Sequence, residues 1–149
     1  MANNYTSFSF HVENITDEEV EWLEKETRKA YVEEVLEEDF NPERNYYPHE
    51  KCGEKSNGNY WFHDGNTFVD TGVIATILMR FLKKFRPNQY IAFELAYTCD
   101  KPRINEFGGS ACFITRAGVR WMDTANWIAR QIKKFETRAV GVILIQESE

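Results

Sequence analysis

The sequence has few cysteines and no long apolar run, and each shortage excludes a class of protein. Three cysteines, an odd number at irregular spacing, do not make a disulfide framework, so they favour reduced thiols in the cytosol. The apolar runs are far too short to cross a bilayer. The first residues lack a basic segment followed by an apolar core, so no secretory signal is expected. We therefore expect a cytoplasmic protein that makes no use of a membrane.

The net charge of -6 is divided unevenly along the chain. Residues 1–64 carry sixteen acids against six Lys and Arg, whereas residues 65–149 carry eight acids against twelve. Direct nucleic-acid binding usually needs a basic stripe, which an acidic chain does not favour. The acidic half would suit a basic protein surface and the basic half a phosphate-bearing ligand, although ordinary solvated faces explain both.

The length of 149 residues, with 42% apolar and 15% aromatic residues, predicts one domain with a single core over residues 1–149. Residues 38–58 hold two prolines, two glycines and several asparagines, so they are predicted to form a long irregular connection. Connections of that length in a compact domain are often functional.

Two helices are predicted from their end signals and their apolar spacing. Thr16 and Glu19 form a capping-box pattern, which predicts a helix that starts there and reaches residue 31 or beyond. The second helix is predicted between a cap at Asp70 or Thr71 and a stop at Pro87.

The carboxyl-terminal part is predicted to contain a third helix and then a last strand. The segment DTANWIARQIKKF, residues 123–135, begins with a cap at Asp123 or Thr124. The run AVGVILI, residues 139–145, is predicted to be an apolar strand. The face of the third helix that we expect to be buried comprises Trp127 or Ile128, Ile132 and Phe135.

Alternating apolar and polar residues predict the other strands, in residues 5–12, 59–64, 89–97 and 110–122, the last with a turn or bulge near Gly118. This order of elements predicts an α+β fold, a mainly antiparallel sheet with helices packed on one face in a ferredoxin-like arrangement. The expected core comprises Phe8, Phe10, Leu23, Ile77, Leu78, Phe81, Phe93, Leu95, Phe113 and Ile132.

One connection holds more polar groups than a turn requires. Residues 96–115 read AYTCDKPRINEFGGSACFIT, although two turn residues would be enough to join a hairpin. Lys101 and Arg103 would hold a phosphate or a carboxylate. Gly108 and Gly109 would let backbone amides approach an anion closely.

The same loop contains groups that can react. Asp100 and Glu106 are candidate bases or ligand acceptors, and Cys99 is a candidate nucleophile if a neighbouring cation lowers its pKa. A purely structural explanation is that Arg103 pairs with Glu106 or Asp100 and that the glycines adopt turn angles. The candidate site for a ligand or partner comprises Tyr97, Cys99, Asp100, Lys101, Arg103, Glu106, Gly108 and Gly109.

Metal and cofactor binding have little support in the sequence. His49 and Cys52 form a ligand-like pair with His63 beyond it, but the second closely spaced pair of a structural zinc site is missing. The glycine patterns of nucleotide-binding loops, the H-E-x-x-H pattern and the G-x-S-x-G pattern are also missing. We expect no metal and no cofactor.

Two surfaces allow more than one interpretation. Aromatic residues around the irregular connection would either anchor it or form a groove for a ligand or partner. The acids on and after the first helix would either be solvated or imitate the phosphates of a nucleic acid. The aromatic residues are Tyr46, Tyr47, Tyr60, Trp61, Phe62 and Phe68, and the acids are Glu18, Glu21, Glu24, Glu33, Glu34, Glu37, Glu38 and Asp39.

The loop sequence resembles a set of small uncharacterised proteins encoded by phages, plasmids and other mobile elements. The matching pieces are Ala96 to Cys99, Lys101 to Arg103 and Glu106 to Gly109, with FLKKFRP before them and RWMDTANWI after them. The resemblance covers roughly residues 60–130. It implies a small accessory protein in the cytoplasm of a bacterial host, without an assigned activity, and by analogy one that blocks a host defence complex.

Three functions are consistent with these observations. The first is a non-enzymatic accessory protein that binds a protein partner or small ligand through residues 97–109. The second is a small enzyme that acts on a phosphate-containing ligand, in which Cys99 or Asp100 reacts and Lys101 and Arg103 stabilise negative charge. The third is an acidic inhibitor that imitates nucleic acid. We expect the first.

Overall fold

Two antiparallel sheets and three helices make up the computed structural model, which describes residues 4–34, 53–64, 70–104 and 106–147. In chain order the elements are β1 (Asn4–Ser7), β2 (Ser9–Val12), α1 (Asp17–Glu34), β3 (Glu54–Ser56), β4 (Asn59–His63), α2 (Thr71–Phe85), β5 (Ile91–Cys99), β6 (Gly108–Thr115), β7 (Gly118–Asp123) and α3 (Thr124–Glu147). No helix in these ranges has the length and apolar content needed to cross a bilayer. The predicted α+β class with antiparallel strands is confirmed.

The strands form a larger sheet in the order β1-β5-β6-β7 and a smaller sheet in the order β2-β4-β3. The predicted first strand is divided at Phe8 into β1 of the larger sheet and β2 of the smaller sheet. The Phe8 amide donates to Asp64 Oδ1 at 3.3 Å, and the Asp64 amide donates to the Phe8 carbonyl at 3.3 Å. The predicted strand at 110–122 is two strands joined by a turn at Arg116 and Ala117. Antiparallel strands and the helices packed against them are compatible with the ferredoxin-like prediction.

The core lies between the inner faces of the sheets and the helices α1 and α2. Phe10 stacks on Phe62 of the smaller sheet and on Phe93 of the larger one, with ring centroids 5.0 and 4.3 Å apart. The sheets are therefore joined by aromatic contacts. Six predicted core residues are buried and two, Phe8 and Phe10, are partly buried against the core; the six are Leu23, Ile77, Leu78, Phe81, Phe93 and Leu95.

The prediction that Phe113 lies in the core is wrong, and the register of the larger sheet explains why. Phe93 is paired with Cys112, so Cys112 and Ile114 face the core while Phe113 faces the other side of the sheet. Side chains alternate along a strand, and a shift of one residue exchanges the two faces. Phe113 is therefore 44% exposed.

The predicted ends of α1 and α2 are confirmed. Glu19 Oε1 accepts from the Thr16 amide at 3.0 Å and Thr16 Oγ1 from the Glu19 amide at 3.1 Å, which completes the capping box. Asp70 caps α2 by accepting from the Gly72 amide at 2.8 Å. The helix ends at Phe85, two residues before Pro87.

The segments predicted as a third helix and a last strand form one helix, so the prediction of a strand at residues 139–145 is wrong. A short apolar run does not by itself distinguish a strand from a helix. The expected burial is wrong as well, because every residue in 124–138 is exposed. The principal contacts of α3 are with β6 and β7, and exposure reaches 53% for Trp127, 52% for Ile128 and Ile132, and 73% for Phe135.

The end of the predicted irregular connection is a strand. A hairpin joins β3 to β4 through Asn57 and Gly58, whose φ angles of 52° and 80° lie in the left-handed region. Asn-Gly between two strands is a strong hairpin signal that the sequence analysis did not use. Residues 35–52 and 65–69, with Tyr46, Tyr47, His49, Cys52 and Phe68, lie outside the described residues.

Candidate functional site

The candidate site lies at the end of the hairpin formed by β5 and β6. The last paired residues of these strands are Tyr97 and Gly108, while Cys99 is still paired with Asn4 of β1. Residues 100–104, 106 and 107 therefore project beyond the larger sheet, and we call them the hairpin tip. Surface loops held by paired strands are common positions for binding residues.

The base of the hairpin tip is fixed by polar contacts. The hydroxyls of Tyr97 and Ser110 form a hydrogen bond of 2.9 Å, and the Gly109 amide donates to Thr124 Oγ1 at 3.1 Å. A Cβ atom at Gly108 would lie 3.0 Å from the same Thr124 Oγ1, so the glycine permits the start of α3 to approach β6. Since the Gly109 amide already donates its hydrogen bond to Thr124, this amide is not available to an anion.

The exposed end of the hairpin tip combines cations with apolar side chains. The Arg103 amide donates to the Lys101 carbonyl at 2.8 Å, which closes a tight turn around Pro102. Lys101 and Arg103 are exposed, Ile104 is 87% exposed and Phe107 is 55% exposed. Sequence analysis did not single out Ile104, because its exposure distinguishes it and no sequence signal reports that exposure.

The other predicted site residues differ in their exposure. Cys99 and Glu106 are half-buried, and Asp100 is exposed. Within the described ranges, Arg103 and Glu106 form no ion pair with each other. Those ranges also contain no group of three His, Cys, Asp or Glu side chains that would hold a metal ion. Among the described residues, the tip therefore presents exposed cations and apolar side chains without a cluster of metal-ligating groups.

Three cavities of the described structure lie away from the hairpin tip. One of about 890 Å³ is lined by residues from both sides of the larger sheet, among them Ala96, Ala111, Phe93 and Trp121, and by Phe10 of the smaller sheet. Another, of about 590 Å³, lies beside the start of α1 and the end of α2, and a third, of about 370 Å³, lies along α1. None of them is lined by residues of the tip.

The two described cysteines differ in their surroundings, and this difference is measurable. Burial raises the pKa of the Cys112 thiol to about 11, whereas Cys99 at the end of β5 is half-buried. Since the thiolate is the reactive form, iodoacetamide at neutral pH should alkylate Cys99 in the folded protein and Cys112 only after unfolding. Peptide mass spectrometry of native and denatured samples checks this. Equal labelling of both thiols in the native sample would contradict the burial of Cys112.

Acids on the first half of α1 are partly used in contacts within the chain. Asp17 pairs with Lys55 at 2.7 Å, Glu19 with Arg86 at 2.8 Å and Glu26 with Arg80 at 3.1 Å. Lys25, Arg28 and Lys29 are exposed on the same helix. The described part of α1 therefore has mixed charge, in contrast to the continuous acidic face that imitation of nucleic acid requires.

In comparisons with known proteins, no protein-family model matches the chain, and no curated protein or solved structure is significantly similar to it.

Proposed function

We propose that this chain is a non-enzymatic accessory protein that binds a protein partner through the hairpin tip. Ile104 and Phe107 are its apolar contacts, and Lys101 and Arg103 give it polar specificity. The observation that carries the proposal is an isoleucine that is 87% exposed at the end of a hairpin whose base is held by hydrogen bonds. A projecting apolar side chain fits a pocket on another protein, where it loses its contact with water.

A protein partner has more support than a small ligand. Small-molecule sites are concave and enclose most of their ligand. The exposed residues of the tip instead project from the end of the larger sheet. An apolar centre with a polar rim is the usual composition of a protein interface.

The two alternatives have less support. An enzyme acting through Cys99 or Asp100 needs these groups and the cations beside a substrate cleft, and the cavities described above are elsewhere. A nucleic-acid mimic needs an unbroken acidic surface, and the described part of α1 carries exposed cations between its acids. We therefore retain the binding protein.

The resemblance of the loop to proteins of phages and plasmids supplies the setting of the proposal. In that setting the chain acts in the cytoplasm of a bacterial host, and its partner is a component of a host defence system. This extension depends on the resemblance alone, so the binding experiment uses a lysate of the native host.

The proposal is tested by affinity capture with the full chain and three variants. Ile104→Asp places a charge in the expected apolar contact, and Lys101→Ala/Arg103→Ala removes the polar contacts. Lys83→Ala/Arg116→Ala is the matched control, since it removes two exposed cations away from the tip. We expect Ile104→Asp to lower the capture of a specific host protein at least about tenfold, because one unpaired charge in an interface costs more than about 1.4 kcal/mol.

All four proteins should have the same melting temperature, since every substituted side chain is exposed. If the Ile104→Asp and Lys101→Ala/Arg103→Ala variants capture the same proteins as the unmodified chain, the hairpin tip is not the binding surface. The proposed function would then be wrong.

A further inference from the structure

The apolar side of α3 has the pattern of a core-facing helix, but no described part of the chain covers it. Ile128, Ile132 and Phe135 follow one another at spacings of four and three residues, which places them on one side of the helix. We call these three residues the α3 stripe. Their exposed fractions are 52%, 52% and 73%. Helices of globular proteins derive most of their stability from packing such a side, so an uncovered stripe indicates an absent partner.

The larger sheet also has an apolar face that no described residue covers. Its side chains alternate between the core and an outer face, which carries small residues at its centre and large ones around them. Ala92 and Ala96 are exposed there, and Ala111 of the neighbouring strand is half-buried. Small side chains at the centre of a sheet leave room for a helix. The large residues of the outer face are Tyr5, Tyr90, Phe113 and Met122.

The two uncovered surfaces cannot meet within one chain. The helix α3 begins at Thr124, the residue that follows the end of β7 at Asp123. No linker is therefore present that would let α3 return across its own sheet. Thr124 is also held at Gly109, which fixes the start of the helix at that end of the sheet.

We propose that the α3 stripe of each chain covers the outer face of the larger sheet of a second copy, in a dimer with twofold symmetry. In a twofold interface each copy contributes the same surfaces, so one exchange covers both helices and both sheets. The helix of 24 residues is about 36 Å long, enough to cross the sheet. The inference is independent of the hairpin tip and its partner.

The area available favours this exchange over pairing of the two helices. A whole aromatic side chain has about 150–250 Å² of surface, so a half-exposed large residue offers on the order of 100 Å². The three residues of the stripe and the four of the outer face together give roughly 700 Å² per copy, close to the roughly 800 Å² per partner of stable interfaces. Two helices packed on each other would bury less than half of that.

Charge favours the same arrangement. Between residues 124 and 138, α3 carries four cations and one acid, Glu136. Two copies of α3 in contact would bring these cations together, which is unfavourable. The outer face instead carries Glu94 and Arg120, whose opposite charges cancel. The cations are Arg130, Lys133, Lys134 and Arg138.

Sedimentation equilibrium of the full chain over a dilution series tests the proposal. We expect a dimer, and either Ile132→Glu in the stripe or Ala96→Glu in the outer face should raise its dissociation constant at least about 100-fold, since each buries two unpaired charges per dimer. Thr137→Glu, on the opposite side of α3, is the matched control and should leave the dimer unchanged. The three positions are exposed in one chain, so circular dichroism should show the same fold in each variant.

Mixing two complementary variants distinguishes the exchange from other dimers. Ala96→Glu and Ile132→Lys should each be monomeric alone and should form a heterodimer together, because the Glu on one sheet then meets the Lys on the other helix. A monomeric unmodified chain would overturn the proposal. A dimer that Ile132→Glu disrupts and Ala96→Glu does not would also overturn it, since the helices would then pair with each other.

Discussion

Replacing Arg86 by alanine should lower the free energy of unfolding by about 3–5 kcal/mol, because it leaves a buried carboxylate without its partner. Arg86 donates from Nε and Nη2 to the two carboxylate oxygens of Glu19, at 2.8 and 3.1 Å. It also donates to the carbonyls of Glu13 and Asn14, at 2.8 and 2.9 Å. One guanidinium therefore joins the end of α2 to the segment before α1. Urea denaturation followed by circular dichroism measures the loss.

The pH dependence of this stability follows from Glu19. Burial raises the pKa of Glu19, but the hydrogen bonds from Arg86 and Thr16, with the charge of Arg86, together hold the pKa below its ordinary value of 4.5. A carboxyl group with a lowered pKa stabilises the folded chain above the unfolded pKa, and this contribution is lost as the pH falls through the folded pKa. The unmodified protein should thus lose stability below about pH 4.5.

Arg86→Lys and Lys83→Ala complete the experiment. Lysine keeps the charge but not the two-pronged geometry, so it should recover part of the loss. Lys83 is exposed on the same helix, and its removal should change the free energy of unfolding by less than about 0.5 kcal/mol. A small effect of Arg86→Ala, similar to that of Lys83→Ala, would mean that the pair does not join the helices.

Phe62→Ala should cost about 3–5 kcal/mol of unfolding free energy, since it empties a buried aromatic site. Phe62 has no exposed surface, and its ring lies 5.0 Å from that of Phe10 and 5.2 Å from that of Tyr60. Phe10 in turn stacks on Phe93 of the larger sheet. Loss of Phe62 therefore weakens the contact between the sheets as well as the smaller sheet itself.

The neighbouring Trp61 provides the control for Phe62. Its side chain lies on the other side of β4, is 37% exposed and donates from Nε1 to Ser9 Oγ at 2.8 Å. Trp61→Ala should cost only about 1 kcal/mol, the value of one hydrogen bond and some surface contact. Chemical denaturation measures the unfolding free energy of both variants. A larger loss of unfolding free energy for Trp61→Ala than for Phe62→Ala would contradict the burial assigned to the two sides of β4.

Local signals in the sequence predicted the elements whose ends are marked by side-chain chemistry. Thr16 with Glu19 and Asp70 with Pro87 define helix ends through contacts between residues close in sequence. The contact between Glu19 and Arg86 joins residues 67 positions apart, so spacing could not predict it. The sequence analysis assigned Glu19 to a helix cap and did not connect it with Arg86.

The errors in α3 and β6 have a different cause. The α3 stripe has the spacing of any buried helix face, and a sequence does not state whether its cover comes from the same chain or another. Phe113 and Cys112 are neighbours, and only the pairing with Phe93 decides which of them faces the core. The position of the candidate loop was predicted from its polar residues, whereas Ile104 required the structure, because its significance is its exposure.

A photo-crosslinking amino acid at position 104 reports on the claim that the hairpin tip is the surface through which this chain binds another protein. With a benzoylphenylalanine at position 104, irradiation in the host lysate should produce one discrete adduct with a host protein, and the same group at position 83 on α2 should produce none. Adducts of equal yield and identity at both positions, or no adduct at position 104, would contradict the claim.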